Sequence, residues 1–202
     1  MSPVTQKPAL TSKGLATRQR IIDGAAAEIL AHGVPVFTLD AVMARTSTSK
    51  SQLFHYFPDG KEQLLLAVAE QEAMLVLSDQ QPYLGELTSW AAWQRWRDVV
   101  VDRYRRQGQN CPLSLLMSEI GQTTPGAQAV SSALMRQWHR EIATGIREMK
   151  RQHEIAEQVD ADVTARALLA GIQGGVSVML ATGDLRYLED ALDVGIAALH
   201  VA

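Results

Sequence analysis

Five side chains in one short stretch are suited to reading a polar surface at close range: Ser49, Lys50, Ser51, Gln52 and His55. Their hydrogen-bonding groups are mostly short, and only Lys50 is formally positive. Such residues at the start of a helix can approach base edges in the major groove of a duplex, and glutamine suits adenine edges in particular. Groups able to hold backbone phosphate, which fixes register rather than sequence, lie to either side: Thr17 and Arg18 before the stretch, Tyr56 and Lys61 after it. Thr38, at the start of a neighbouring element, and Thr48, in the break just before the stretch, complete the candidate set. Bland readings stand beside these. Ser49 followed by Gln52 has the spacing of a capping box, which adds about 1 kcal/mol or less of helix stability. Lys50 and His55 are equally at home on a solvated surface.

The elements that hold this stretch are short helices. Residues 1–13 carry Ser, Thr, Lys and two prolines without periodicity and read as a loose tail. A helix is expected from about Gly14 to His32, with Ile22, Ala25, Ala26, Ile29 and Leu30 on one face. Gly33 and Pro35 end it. Thr38 caps a helix to Arg45 with Leu39, Val42 and Met43 inward. After the break Thr46-Ser47-Thr48, Ser49 caps the next helix, which presents Leu53, Phe54 and Phe57 to a core and stops at Pro58. Two short helices joined by a tight break behind a longer one make the helix-turn-helix plan.

Asp59 and Glu62 open a long helix to about Asp79, with Leu64, Leu65, Val68, Met74 and Leu75 as its apolar rows. Further helices are expected at about Thr88–Gln107, Pro112–Ile120, Thr124–Gln152, Asp160–Thr182 and from Asp184 onward, the last two capped by their aspartates. The chain therefore reads as all-α, with about nine helices. It divides into a tail (1–13), a three-helix DNA-binding domain (14–61, helix-turn-helix about 37–56) and a helical regulatory and dimerisation domain (62–202).

Thr17-Arg18, Ile21-Ile22, Ala25-Ala26, Gly33, Phe37-Thr38-Leu39, Ser49-Lys50 and Leu53-Phe54-His55-Tyr56-Phe57, followed by Lys61-Glu62 and Leu64, resemble the TetR family of transcription regulators. Phe57-Pro58-Asp59-Gly60-Lys61-Glu62, Asn110-Cys111-Pro112-Leu113 and Gln173-Gly174-Gly175 are similar to its LmrA/YxaF-like branch. The resemblance implies a homodimer on a near-palindromic operator that represses until a small molecule binds the larger domain. It also implies phosphate contacts for Thr17, Tyr56 and Lys61, with operator reading by Ser49 through Gln52 and His55. Ser47 stands where the family turn usually has glycine, Thr48 where it has an apolar residue, and Ser51 where glycine is frequent.

Charge and composition agree with such a division. Of the 202 residues, 1–61 hold seven Lys/Arg against four Asp/Glu, a balance of +3, and the remainder balances at −6. This is an anion-facing head on an acidic body, not a protein that coats nucleic acid over its whole surface. Cys111 is the only cysteine, so a disulfide framework or cysteine metal cluster is excluded and a small buried residue is the simplest reading. His153-Glu154 lacks the second histidine of a zincin. With no paired-carboxylate motif, metal spacing or nucleophile elbow, the chain reads as neither an enzyme nor a holder of cofactor or metal. No apolar leader is present and the apolar run Ala167–Ala181 is short for a membrane span, so the expected place is the cytoplasm.

The body offers two further readings. Trp90, Trp93 and Trp96 form a stripe at helical spacing, most simply core. With Met117, Met135, Trp138 and Ile142, and with His139 or Gln173 as polar contact, they also make the palette of an apolar ligand pocket between helices. The helix around Leu168, Leu169, Ile172, Val176, Met179 and Leu180 is apolar on nearly every side. Its glycines, Gly171, Gly174 and Gly175, are explained if another backbone approaches. With Leu188, Leu192, Ile196 and Leu199 of the last helix it is expected to form a four-helix dimer interface, core packing within one subunit being the alternative. The expected function is a repressor released from operator DNA by an apolar or amphipathic ligand. The alternative is a constitutive regulator or activator without a natural ligand.

Overall fold

The computed structural model describes residues 11–108 and 125–200, and among them the regular structure is entirely helical. Eight α-helices occur: α1 (Ser12–His32), α2 (Leu39–Thr46), α3 (Lys50–Tyr56), α4 (Lys61–Ser78), α5 (Trp90–Gln107), α6 (Pro125–Arg151), α7 (Ala161–Thr182) and α8 (Arg186–Ala197). A single 3-10 turn, Tyr83–Glu86, precedes α5. The helix expected at Pro112–Ile120, with Cys111 and Met117, lies outside the described residues. The chain forms two compact units, divided between Ala69 and Glu70 within α4.

In the first unit, the Thr11 hydroxyl accepts from the Gly14 amide at 3.2 Å and caps α1, so Ser12 and Lys13 are helix rather than tail. Ile21, Ile22, Ala25 and Ile29 are buried. Leu30, expected on that face, is exposed, because it continues the Ala26 row at the stripe's edge. Gly33 ends α1 at φ 81°, a conformation that L side chains resist. α1 and α2 approach so closely that a Cβ on Gly24 would run into the Thr46 methyl. The nearly buried Glu28 joins the same two helices, accepting from Arg45 Nε at 2.6 Å and lying 3.0 Å from His32 Nδ1. The Arg45 hydrogen bond, with help from His32, holds the Glu28 carboxyl below the usual carboxylate range against the opposing effect of burial.

The break between α2 and α3 keeps a left-handed residue without glycine: Ser47 sits at φ 50°, ψ 42°. For a residue with a Cβ this conformation costs about 1–2 kcal/mol. The surroundings impose it: the Thr48 amide donates to the Met43 carbonyl at 3.1 Å, and the Thr46 hydroxyl donates to the Val42 carbonyl at 2.7 Å. α3 then starts from the capping box anticipated at Ser49 and Gln52. α4 begins differently from expectation. Gly60, at φ 68°, precedes it, and the Asp59 amide donates to Gln63 Oε1 at 3.1 Å, so Glu62 takes no part in a box.

The second unit is built on one buried cluster. Val76 and Leu77 of α4, Trp93, Trp96 and Val100 of α5, Trp138, Ile142 and Ile146 of α6, and Leu168 and Ile172 of α7 all belong to it. Met74 and Leu75, expected among the apolar rows of α4, are exposed. α7 packs against both α6 and α8. A Cβ on Gly175 would lie 2.6 Å from the Tyr187 carbonyl oxygen, so this glycine admits the start of α8, while Gly195 admits the Leu168 side chain. Leu168, Leu169, Ile172, Val176, Met179, Leu188, Leu192, Ile196 and Leu199 are thus buried inside their own chain, with Leu180 partly so. Their assignment to a surface between subunits is corrected, because α7 and α8 use these side chains on each other. At 22 residues α7 is also long and apolar enough to cross a membrane, unlike the shorter apolar run read from sequence, although it is a packed helix here. Asp160 caps α7 through the Asp162 and Val163 amides at 2.9 and 3.0 Å. Asp184 accepts from the Arg186 amide at 3.0 Å, although Leu185 occupies the N-cap position of α8. Arg97 holds Asp193 through two contacts of 2.8 Å, and Arg105 holds Glu189 at 3.0 Å, tying α5 to α8.

Two outcomes follow from the first unit. Ser47→Gly is expected to stabilise the turn by about 0.5–1 kcal/mol, the relief of left-handed strain less the extra backbone entropy of glycine. Slower hydrogen exchange at the Thr48 and Leu53 amides would register the gain, and unchanged exchange would mean that Ser47 carries no strain. A depressed Glu28 carboxyl contributes stability that is complete above the ordinary carboxylate pKa and is lost as pH falls through the lower folded value. Urea midpoints followed into acid should therefore fall less steeply for Glu28→Gln than for the parent chain.

Candidate nucleic-acid interface and ligand site

α3 has one buried face and one open face. Leu53 and Phe57 are fully buried and anchor it, while Ser49, Lys50, Ser51, Gln52 and His55 are exposed. Ser49 Oγ accepts from the Gln52 amide at 3.2 Å, and Gln52 Oε1 accepts from the Ser49 amide at 3.3 Å. The glutamine therefore closes the helix start, and its Nε2 group remains as a donor. Phe54, expected in the core, is 38% exposed instead. It lies beside Gly60, with its ring 3.5 Å from where a Cβ would stand.

Thr48 does not belong to the open face. It is 5% exposed, and its hydroxyl lies 2.8 Å from that of Thr46. This pair fills the place where an apolar residue was anticipated, so Thr48 holds the turn instead of reaching a ligand. Thr38 is exposed, and its hydroxyl caps α2 by accepting from the Ala41 amide at 3.2 Å. The Thr17 hydroxyl donates to the Lys13 carbonyl at 3.0 Å. Arg18 lies with its guanidinium carbon 5.4 Å from the centre of the Phe57 ring, a cation–π contact behind α3. Tyr56 is half-buried, edge-on to His55 at 4.9 Å. Lys61 donates to the Phe37 carbonyl at 2.7 Å and lies over the Phe37 ring, so its ammonium has a structural task beside any contact to phosphate.

Charge on this unit is sparse. Arg45 is neutralised by Glu28, whereas Lys13, Arg20 and Lys50 have no carboxylate partner among the described residues. Lys13 and Arg20 were not singled out from sequence. Basic residues on a first helix look like ordinary solvated groups until their lack of partners is visible.

The ligand candidates of the second unit separate by depth. Trp93, Trp96, Trp138 and Ile142 are fully buried, and Met135 packs against the cluster. Trp90 is half-buried, stacked on His200 at 3.4 Å between ring centres, and its indole N–H donates to Glu154 at 3.0 Å. His139 Nε2 lies 3.2 Å from the Asp162 carbonyl oxygen, which makes it a satisfied structural group. Gln173 is half-buried on α7. A separate cavity of about 240 Å³ is lined by Tyr104, Arg105, Gly108, Met179, Gly183 and Leu185. Its sequence signal was two helix-ending glycines, Gly108 at φ 58° and Gly183 at φ 78°. That the two ends converge is a tertiary fact that periodicity does not carry.

Comparison with known proteins agrees along most of the chain. Residues 21–68 match the family described as "Bacterial regulatory proteins, tetR family", and residues 90–194 match "Tetracyclin repressor-like, C-terminal domain". A protein named "Uncharacterized HTH-type transcriptional regulator TtgW", from Pseudomonas putida, is 37% identical over 76 residues, which are 38% of this chain and 56% of that protein. The chain thus spans about half the length of this curated relative. Among solved structures, a TetR transcriptional regulator from Chloroflexus aurantiacus superposes with a TM-score of 0.79 at 24% identity, covering 95% of this chain and 98% of that one. SmeT, the repressor of the Stenotrophomonas maltophilia multidrug efflux pump SmeDEF, gives a TM-score of 0.71 at 22% identity, covering 93% and 92%. At these identities the structural likeness speaks for the fold. The two family matches, together covering most of the chain, and the all-helical architecture place the chain in the TetR family of bacterial regulatory proteins.

Proposed function

We propose that the protein is a dimeric repressor whose α3 reads operator DNA and whose second unit releases that DNA on binding a small apolar or amphipathic molecule. The observation that carries the first part is the division of α3 into a buried face, Leu53 and Phe57, and an open polar face led by Lys50 and Gln52. Ser49, Ser51 and His55 complete that face, and Thr17, Arg18, Thr38, Tyr56 and Lys61 supply phosphate contacts around it. Two copies would bring two such helices to half-sites about 34 Å apart. Binding of ligand would favour a conformation in which that spacing is lost, by differential affinity for the two states. SmeT, similar in fold, is known in complex with triclosan, which supports an aromatic effector class here. The resemblance to the LmrA/YxaF-like branch belongs to this proposal too. A regulator acting on bacterial chromosomal DNA would act in the cytoplasm.

The dimer is proposed through the outer faces of α7 and α8. Ala170, Gly174, Ser177 and Val178 are exposed along α7, and Val194 on α8 is 70% exposed. Gly171 and Gly174 have open space where a Cβ would stand, so a partner helix could come close there. In the most apolar window of α7 only 33% is buried by its own chain, which leaves an apolar stripe for a second copy to cover.

Two experiments test the proposal. Lys50→Ala is expected to weaken binding to the DNA upstream of the protein's own gene by about tenfold, with the melting temperature unchanged. Equal affinity in a titrated gel shift would remove α3 from the interface. Gly174→Arg should give a folded monomer in light scattering, whereas Leu168→Ala should keep the dimer and lose about 2–5 kcal/mol of stability. A Gly174→Arg dimer would move the interface elsewhere.

A further inference from the structure

Buried tryptophans normally satisfy their indole N–H groups. Two of the four here do so: Trp96 donates to Gln80 Oε1 at 2.7 Å, and Trp90 donates to Glu154. The other two, Trp93 on α5 and Trp138 on α6, are 0% and 1% exposed, and their Nε1 atoms meet no acceptor among the described residues. An unmet buried donor is costly, because it has given up water and gained nothing in return. Both rings belong to the same buried cluster, which also contains Leu168, Ile172 and Ile196. The cluster also contains Met149 and Met179, with Met135 packed against it, and these flexible side chains can re-pack around a guest. The buried charges of this unit are Glu72 and Arg103 among the described residues. Both have partners, Arg103 pairing with Asp79, so no free buried charge waits for a charged ligand.

We infer that the effector of the proposed ligand-released regulator is a neutral, largely apolar aromatic molecule bearing acceptor oxygens, which take hydrogen bonds from the Trp93 and Trp138 indoles. The inference rests on the reading that the second unit binds a small molecule in its core. It adds the chemistry by which that molecule is chosen: shape and apolar area admit it, and the two donors reject hydrocarbons that fit equally well. A site built around polar groups discriminates in this way because the wrong guest leaves those groups unpaired.

The test uses the full chain and three matched probe pairs: benzophenone and diphenylmethane, xanthone and xanthene, fluorenone and fluorene. Each ketone should bind on the order of tenfold tighter than its hydrocarbon for each indole engaged. In nitrogen-15 spectra, the two indole signals that disappear in Trp93→Phe and Trp138→Phe should move downfield with ketone and stay in place with hydrocarbon. Each variant keeps an aromatic ring, so it should still bind while losing its share of the ketone preference. If ketones and hydrocarbons bind alike with the indole signals unmoved, the donors do not select the ligand, and the inference falls while the ligand-binding reading stands. If none of the six binds, the inference and that reading fall together.

Discussion

A helix of seven residues cannot hold its own shape in water, because nucleation consumes more conformational entropy than two turns of hydrogen bonds return. α3 exists because Leu53 and Phe57 are buried behind it and because Ser49 and Gln52 close its open end. This requirement arranges the rest of the first unit. α1 must lie close enough for Gly24 to meet Thr46, Glu28 must hold Arg45 across the gap, and the turn must keep a left-handed residue even when that residue is serine. The polar face is open to a ligand because Leu53 and Phe57 carry the anchoring of α3, and the one structural duty left on that face is the cap formed by Ser49 and Gln52.

The second unit faces the opposite problem. Its α7 has more apolar surface than a single neighbour can cover. α6 and α8 take one part, with Gly175 allowing the start of α8 to come within contact of the backbone. Ion pairs from Arg97 and Arg105 fix α8 on α5. The remainder of α7 stays outward as small residues, which suits close approach by another helix.

Helix positions and caps could be read from the sequence because they are local. Thr38, Ser49 and Asp160 cap where their spacing says they should, and Gly183 closes α7. Depth was read less well. An apolar residue on a two-sided helix gives no sign of which neighbour will cover it, so the pattern points Leu168 and Ile196 at a partner while the fold uses them in its own core. Phe54 reads as a core residue by type but lies at the surface, because Leu53 and Phe57 already fill the space behind α3. Thr48 reads as part of the open face, but the Thr46 hydroxyl two residues away holds it inside the turn. Among the tryptophans the stripe was visible, but the division into partnered and unpartnered indoles depends on Gln80 and Glu154, which are distant in sequence.

The ion pair between Arg45 and Glu28 has a consequence for how the protein searches a chromosome. Among the described residues of the first unit, Arg45 is paired with Glu28 and Lys61 is held on a backbone carbonyl, so the displacement of counterions from DNA falls to Lys13, Arg18, Arg20 and Lys50. Non-specific affinity is set mainly by such displacement. Each cation withdrawn into an ion pair, as Arg45 is, lowers the hold on random sequence without touching the side chains that face base edges. The Arg45–Glu28 pair thus trades a little hold on bulk DNA for a fixed distance between α1 and α2.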